Sequence, residues 1–234
     1  MRPGPDPCVK SMPPAVSEID RALTVLHGES GGPPSDLFAY CLREICSFQT
    51  TEQRAAAALR ALLEIGTEAA ALGRARPARL KSALDKAGPF ASDRLLSLQR
   101  LLRLVQVELH GDFDSLFKRS RVETKRLLKA VFGDHGSDRL MMLSGRHAIL
   151  ALDAHGVRVA LRLGFGESKK NYGTTYTSVQ RELAPLIGED PRRHWRIREL
   201  LRAHGRRICR LEDPRCDNCP LTEGCAFNAR SRAG

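Results

Sequence analysis

Apolar residues recur at intervals of three and four along most of this chain, the spacing that lines one face of an α-helix. The clearest stretch is Leu95, Leu98, Leu102, Val105 and Leu109, introduced by Ser92. These residues predict a single apolar stripe turned toward a core. Ser35 and Asp36 predict the cap of a helix running to about Ser47, and Thr51 that of a helix holding residues 55–58, Leu59, Leu62 and Leu63. The same reading predicts helices over 76–87, 123–131, 137–143, 153–163, 175–187 and 194–205. Strand-like alternation is nearly absent, and neither an internal repeat nor a glycine-rich phosphate loop is present. The expected class is all-α.

The first 34 residues break the pattern. They hold seven of the thirteen prolines and end in Gly31-Gly32-Pro33-Pro34. Such composition predicts a flexible tail with at most one short helix over about 16–26, and a folded body from Ser35. The chain has 234 residues, 42% hydrophobic, enough for one large domain or two small lobes with a real core. No run of eighteen apolar residues is present, so no membrane span is expected.

Charge adds a partner. Lys plus Arg number 38 against 27 Asp plus Glu, a formal charge of +11. A surplus of this size suits a polyanion, although a solvated arginine face would give the same count. The distribution is uneven: 191–215 carries nine arginines against three acids, and 118–129 carries six basic residues against one acid.

Four cysteines close the chain as C-x6-C-x2-C-x5-C: Cys209, Cys216, Cys219 and Cys225. Four thiolates within seventeen residues can enclose a soft metal centre. Structural zinc sites usually present paired C-x2-C hairpins or matching histidines, and only Cys216 and Cys219 form such a hairpin here. The wider outer gaps suit a 4Fe-4S cluster, with Pro214, Pro220 and Gly224 to turn the loop. Zinc, and a redox pair at Cys216 and Cys219 with incidental outer cysteines, stay open. An odd total of seven cysteines and no apolar leader argue for a reducing, cytosolic-type compartment. Cys41 and Cys46 read as buried thiols, and Cys8 lies in the tail. His147, His155, His194 and His204 show no metal-like spacing and read as structural or phosphate-contacting.

The order of these features resembles a known family. Cys46-Ser47-Phe48-Gln49-Thr50-Thr51-Glu52, Ala87-Gly88-Pro89-Phe90-Ala91-Ser92-Asp93, Ala151-Leu152-Asp153-Ala154-His155-Gly156-Val157-Arg158-Val159 and His204-Gly205-Arg206-Arg207-Ile208-Cys209 follow one another at fitting intervals. With the terminal cysteines they are similar to the endonuclease III branch of the helix-hairpin-helix DNA glycosylases, over roughly residues 35 to 226. The resemblance implies two helical lobes with a DNA-binding cleft between them. One would be a helical barrel over 48–150 with a modified hairpin, and the other an iron-sulfur cluster domain from 35–47 and 151–228. It also implies a monomer on double-stranded DNA in a bacterial-type cytoplasm, associated with the nucleoid.

The resemblance places Asp153 at the family's catalytic carboxylate, where it would stabilise positive charge on the sugar or activate water. An ordinary N-cap is the alternative, and one carboxylate could serve both. Counting back from Asp153 lays residues 129–137, Lys-Ala-Val-Phe-Gly-Asp-His-Gly-Ser, over the hairpin motif. Gly133 matches its second glycine, and His135 occupies the position of the Schiff-base lysine. An imidazole forms no comparable Schiff base, so a monofunctional base-excision glycosylase with weak or no lyase activity is expected. Gly136 and Ser137 could open a modified turn. Lys125, Lys129, Arg139, Arg158 and Arg206 are the expected phosphate contacts. Gln49 is the candidate wedge behind an extruded base, with Phe48 beside it unless that ring packs into the core. Trp195 is expected to support the cluster domain. Three other readings remain: a bifunctional enzyme using another lysine, a non-catalytic DNA-binding relative, and an iron-sulfur redox sensor. The target lesion is not legible.

Overall fold

The computed structural model describes residues 12–233, with side chains through residue 229. Cys8 and residues 1–11 of the expected tail lie outside the described residues. Among those described, the chain is helical with no strand, in order α1 (Val16–His27), α2 (Leu37–Cys46), α3 (Glu52–Leu63), α4 (Ala69–Arg74), α5 (Pro77–Asp85), α6 (Ala91–Arg103), α7 (Arg121–Leu143), α8 (Ala154–Leu163), α9 (Tyr172–Ile187), α10 (Pro191–Arg207) and α11 (Ala226–Ala233). The all-α expectation therefore holds.

Short polar side chains start many of these helices, as their chemistry dictates. Asp36 accepts a hydrogen bond from the amide of Ala39, Thr51 from Arg54, Ser120 from Glu123, Asp153 from Gly156, Asn171 from Thr174 and Asp190 from Arg192. Each bond satisfies an amide that the first helical turn leaves without a partner and is worth about 1 kcal/mol. Helix α6 opens differently, behind Phe90 in the left-handed region. Its stripe is buried at Leu98 and Leu102, and beyond Arg103 the chain widens into a π-helical turn, Leu104–Glu108, that still buries Val105. Two short elements that no periodicity revealed are α4 and the 3-10 turn Phe113–Lys118.

The chain divides into two compact units, Pro33–His147 and Met1–Gly32 with Ala148–Gly234. The first unit holds α2 to α7. Expecting α2 in the cluster domain was wrong: it packs on α3, α6 and α7, burying Leu42, Ile45 and Cys46. The second unit holds α1 and α8 to α11. The flexible tail also needs correction, because α1 is a core element. Val16, Ile19 and Leu23 step by three and four and pack with Val157, Val159, Leu163, Val179, Leu183, Ile197 and Leu201. Arg196 secures it by donating Nε to Asp20 Oδ1 at 2.6 Å and Nη2 to Thr24 Oγ1 at 2.9 Å. Trp195 Nε1 donates to the Gly31 carbonyl at 2.6 Å, so prolines flank a docked helix.

Helix α7 replaces the two expected helices 123–131 and 137–143 with a run broken at one residue. Gly133, at φ 68° and ψ −173°, makes the break, and helical geometry resumes at once. The expected turn at Gly136 and Ser137 is not there. Gly136 is helical, and a Cβ on it would stand 2.6 Å from the Cβ of Phe132.

Candidate active site and cysteine loop

A buried run, Ile149 to Leu152, delivers Asp153 to the start of α8. Gln180 of α9 donates to the Leu150 carbonyl at 2.8 Å and holds this run in place. Asp153 Oδ1 accepts from the Gly156 amide at 2.9 Å, while Oδ2 faces Arg202 Nε of α10 at 3.1 Å. Arg202 Nη1 also lies 3.8 Å from Glu199, which pairs with Arg198. Both carboxylate oxygens are thus engaged, one by the helix cap and one by a guanidinium. The side chain keeps 21% of its surface exposed, so a small reactant can still touch it.

The contact between α8 and α10 is made by removing atoms. A Cβ on Gly205 would stand 2.8 Å from the His155 carbonyl oxygen, so glycine permits the approach. Arg158 then clamps it, donating Nη2 to the Gly205 carbonyl at 2.6 Å and Nε to that of Cys209 at 3.1 Å, with His155 Nδ1 at 3.2 Å. Its Nε and Nη2 donors are thus engaged within the protein.

Other expected phosphate contacts are likewise paired. Lys125 Nζ lies 2.8 Å from the buried Asp138, and Lys129 Nζ lies 3.0 Å from Asp134. The hydrogen bond from Lys129 holds the Asp134 carboxyl below its ordinary range, against the opposing effect of burial. Arg139 Nη1 meets Glu44 at 2.5 Å; burial opposes its charge, and Glu44 and Tyr40 more than offset this. His135 is half-buried in the helix just after Gly133. Arg206 is exposed near the end of α10. Gln49 is exposed with φ 45°, and Phe48 stands 46% exposed rather than packing inside.

After α10 the chain enters the cysteine loop. The Cys209 amide donates to the His204 carbonyl at 2.9 Å, Arg215 to Ile208 at 3.0 Å, and Cys219 to Cys216 at 3.1 Å. Thr222 Oγ1 bonds the carbonyls of Cys216 and Cys219. The organiser that sequence reasoning missed is Arg162, one helical turn after Arg158. It donates to the carbonyls of Arg210 at 2.6 Å and Leu211 at 3.0 Å, lies 3.4 Å from Cys209 Sγ, and sits 4.4 Å above the Phe227 ring. His204, buried in α10, places Nε2 3.5 Å from Cys219 Sγ and Nδ1 3.2 Å from His27 Nε2. Burial, then the neighbouring His27, pushes His204 down to about 4.

Burial raises the thiols of Cys216 and Cys219, and the nearby sulfurs of Cys225 and Cys209 raise them further. Among the described residues, no group of three or more His, Cys, Asp or Glu side chains closes around a metal ion. As a donor set, four soft sulfurs fit an iron-sulfur cluster or zinc, and not a hard oxygen-seeking cation.

A helix pair broken at Gly133, a capped carboxylate opening α8 and a terminal cysteine loop are set in an all-α fold. The fold agrees with two solved structures: a thermostable thymine-DNA glycosylase, with a TM-score of 0.68 at 18% identity over 92% of this chain and 95% of the other, and a trapped endonuclease III–DNA covalent intermediate, with a TM-score of 0.69 at 17% identity over 94% and 99%. In sequence the chain is 26% identical over 206 residues to endonuclease III of Thermotoga maritima, covering 86% of this chain and 87% of that one. It is 29% identical over 175 residues to endonuclease III of Rickettsia conorii, covering 71% and 68%. No family model matches the chain. By fold and by sequence likeness together, the chain is similar to endonuclease III.

Proposed function

We propose that this protein is a base-excision DNA glycosylase acting on double-stranded DNA, with Asp153 as its catalytic carboxylate. The observation that carries the reading is the placement of Asp153, fixed by its own cap and by Arg202 on the helix that leads into the cysteine loop. In this reaction the bond from C1′ to the base nitrogen breaks, and its electron pair leaves with the base. Water adds to C1′, supplying its oxygen to the sugar, and a proton reaches the departing base. Positive charge accumulates on the sugar ring in the transition state, and a fixed negative charge beside it lowers the barrier. Asp153 supplies that charge through Oδ2, and can take a proton from the attacking water there. Oδ2 must be released from Arg202 to do so.

A monofunctional enzyme follows from His135 at the motif's lysine position. The two amines of α7, of Lys125 and Lys129, are both held by carboxylates. Cys209, Cys216, Cys219 and Cys225 would hold a 4Fe-4S cluster, with zinc as the alternative; when bound, the cluster supplies a rigid anchor for the basic loop. The protein would work as a monomer in a bacterial-type cytoplasm. Because Lys125, Lys129, Arg139 and Arg158 are already paired, Arg206 and the remaining exposed arginines would carry more of the phosphate grip, and affinity should fall with salt.

The test is release of free base from duplexes carrying oxidised, deaminated, alkylated or mismatched bases. Asp153→Asn keeps a capping oxygen, so folding is retained while release is lost. A panel with no released base would leave a non-catalytic DNA-binding protein, the reading favoured by Arg202 on Oδ2. Borohydride capture on abasic DNA that disappears with Lys125→Ala or Lys129→Ala would instead show a lyase.

A further inference from the structure

Two loops of the unit Pro33–His147 meet at an unusual tip. One follows α2 and carries Phe48 and Gln49; the other precedes α6 and carries Pro89 and Phe90. Gln49 and Phe90 both lie in the left-handed region, at φ 45° and 72°, where bulky side chains are rare and strained. Phe48 and Phe90 are each 46% exposed, and their rings meet edge to face with centroids 6.0 Å apart. An exposed pair of aromatic rings beside an exposed amide suits contact with nucleobases, whose faces stack on such rings. Strained backbone and exposed rings do not persist without support.

The support is Arg94. It is 1% exposed, inside the first turn of α6, and its guanidinium reaches both loops. Nη1 donates to the carbonyls of Gly88 at 3.1 Å and Pro89 at 2.5 Å, and Nη2 to those of Phe48 at 2.6 Å and Ala87 at 3.3 Å. Thr50 adds a second tie through its hydroxyl, which donates to Ala87 at 2.7 Å. Both Nη groups are used, though Nε is buried without a hydrogen-bond partner, and a flat fork can join two chains at once as a lysine cannot.

We propose that Arg94 is a positioning residue for lesion recognition: it locks the Phe48-Gln49 and Pro89-Phe90 loops into one rigid tip that enters the space left by an extruded base. This rests on the glycosylase reading above. Arg94 touches no DNA in this role; it acts through the tip. A pre-formed tip adds no ordering cost at the moment of extrusion, so lesion-bearing and intact duplexes become distinguishable.

Fluorescence anisotropy with a duplex carrying a tetrahydrofuran abasic analogue and with its intact counterpart gives the discrimination ratio, with circular dichroism to confirm folding. Arg94→Lys should lower that ratio about tenfold, because one ammonium cannot hold both loops. Thr50→Val, which leaves Arg94 in place, should lower it in the same direction by less. In a Phe48→Ala/Gln49→Ala/Phe90→Ala background, Arg94→Lys should have no further effect, since it acts only through the tip. If Arg94→Lys fails to fold, Thr50→Val alone decides: a full ratio overturns the inference. A folded Arg94→Lys protein with an undiminished ratio, or an effect that persists without Phe48, Gln49 and Phe90, also overturns it. Wild-type protein that binds both duplexes equally would instead remove the glycosylase reading, and this inference with it.

Discussion

Gly205→Ala tests the packing that holds Asp153 and the cysteine loop together. The added methyl would stand 2.8 Å from the His155 carbonyl oxygen and 2.9 Å from its Cβ. Both belong to a helix start that cannot swing aside like the end of a long side chain. To reach an ordinary contact, α8 and α10 must part by about half an ångström, the kind of overpacking that costs about 1 to 3 kcal/mol. Parting them also stretches the Arg158 bonds to Gly205 and Cys209, now 2.6 and 3.1 Å. Alanine's better helix propensity offsets about 1 kcal/mol of this. With the weakened Arg158 bonds adding about 1 kcal/mol, the net expectation is a loss of about 2 kcal/mol, or about 4 to 8 °C in Tm for a chain of this size. Gly173→Ala is the control, because its methyl would meet only Asn171 Oδ1 at an ordinary 3.5 Å. Thermal unfolding followed by circular dichroism should show the first variant falling and the second level or slightly raised. Equal stabilisation of both variants would refute the close-approach argument.

Arg162→Gln removes the guanidinium that bonds Arg210 and Leu211 and covers Phe227. Amide exchange across residues 208–219 should accelerate about tenfold or more, consistent with losing charged hydrogen bonds worth about 1.5 to 3 kcal/mol each; unchanged exchange would show that the loop holds itself. His194, buried with Nε2 2.7 Å from the Gly188 carbonyl, is pushed below its ordinary value chiefly by burial, against opposing effects of that carbonyl and nearby acids. The unfolded chain therefore takes up its proton first as pH falls, so the stability tied to a neutral His194 is present above pH about 6.5 and is lost below it. Denaturant titrations from pH 7.5 to 5 should show wild type losing stability more steeply than His194→Gln, and parallel curves would contradict the assignment.

How much of this was legible in the sequence follows from the range over which each signal acts. Helix starts were legible because a cap is a bond across three residues: Asp36, Thr51 and Asp153 cap as their chemistry says. The α6 stripe was legible because burial repeats with the helical period. At Gly133 the sequence signalled a turn, but its length depended on how helix geometry resumes at Asp134, which composition does not encode. Charge acts over a different range. Arg139 and Arg158 are cations in a basic chain, yet one meets Glu44, 95 residues away, and the other Cys209, 51 residues away. A residue's charge is a local property, whereas its availability to a phosphate is decided by whichever acceptor the fold brings alongside. Arg94 is the extreme case. Between Asp93 and Leu95 it reads as another solvated position on an amphipathic helix, and only two loops ending beside it, with four carbonyls turned inward, make it the buried centre of an exposed tip.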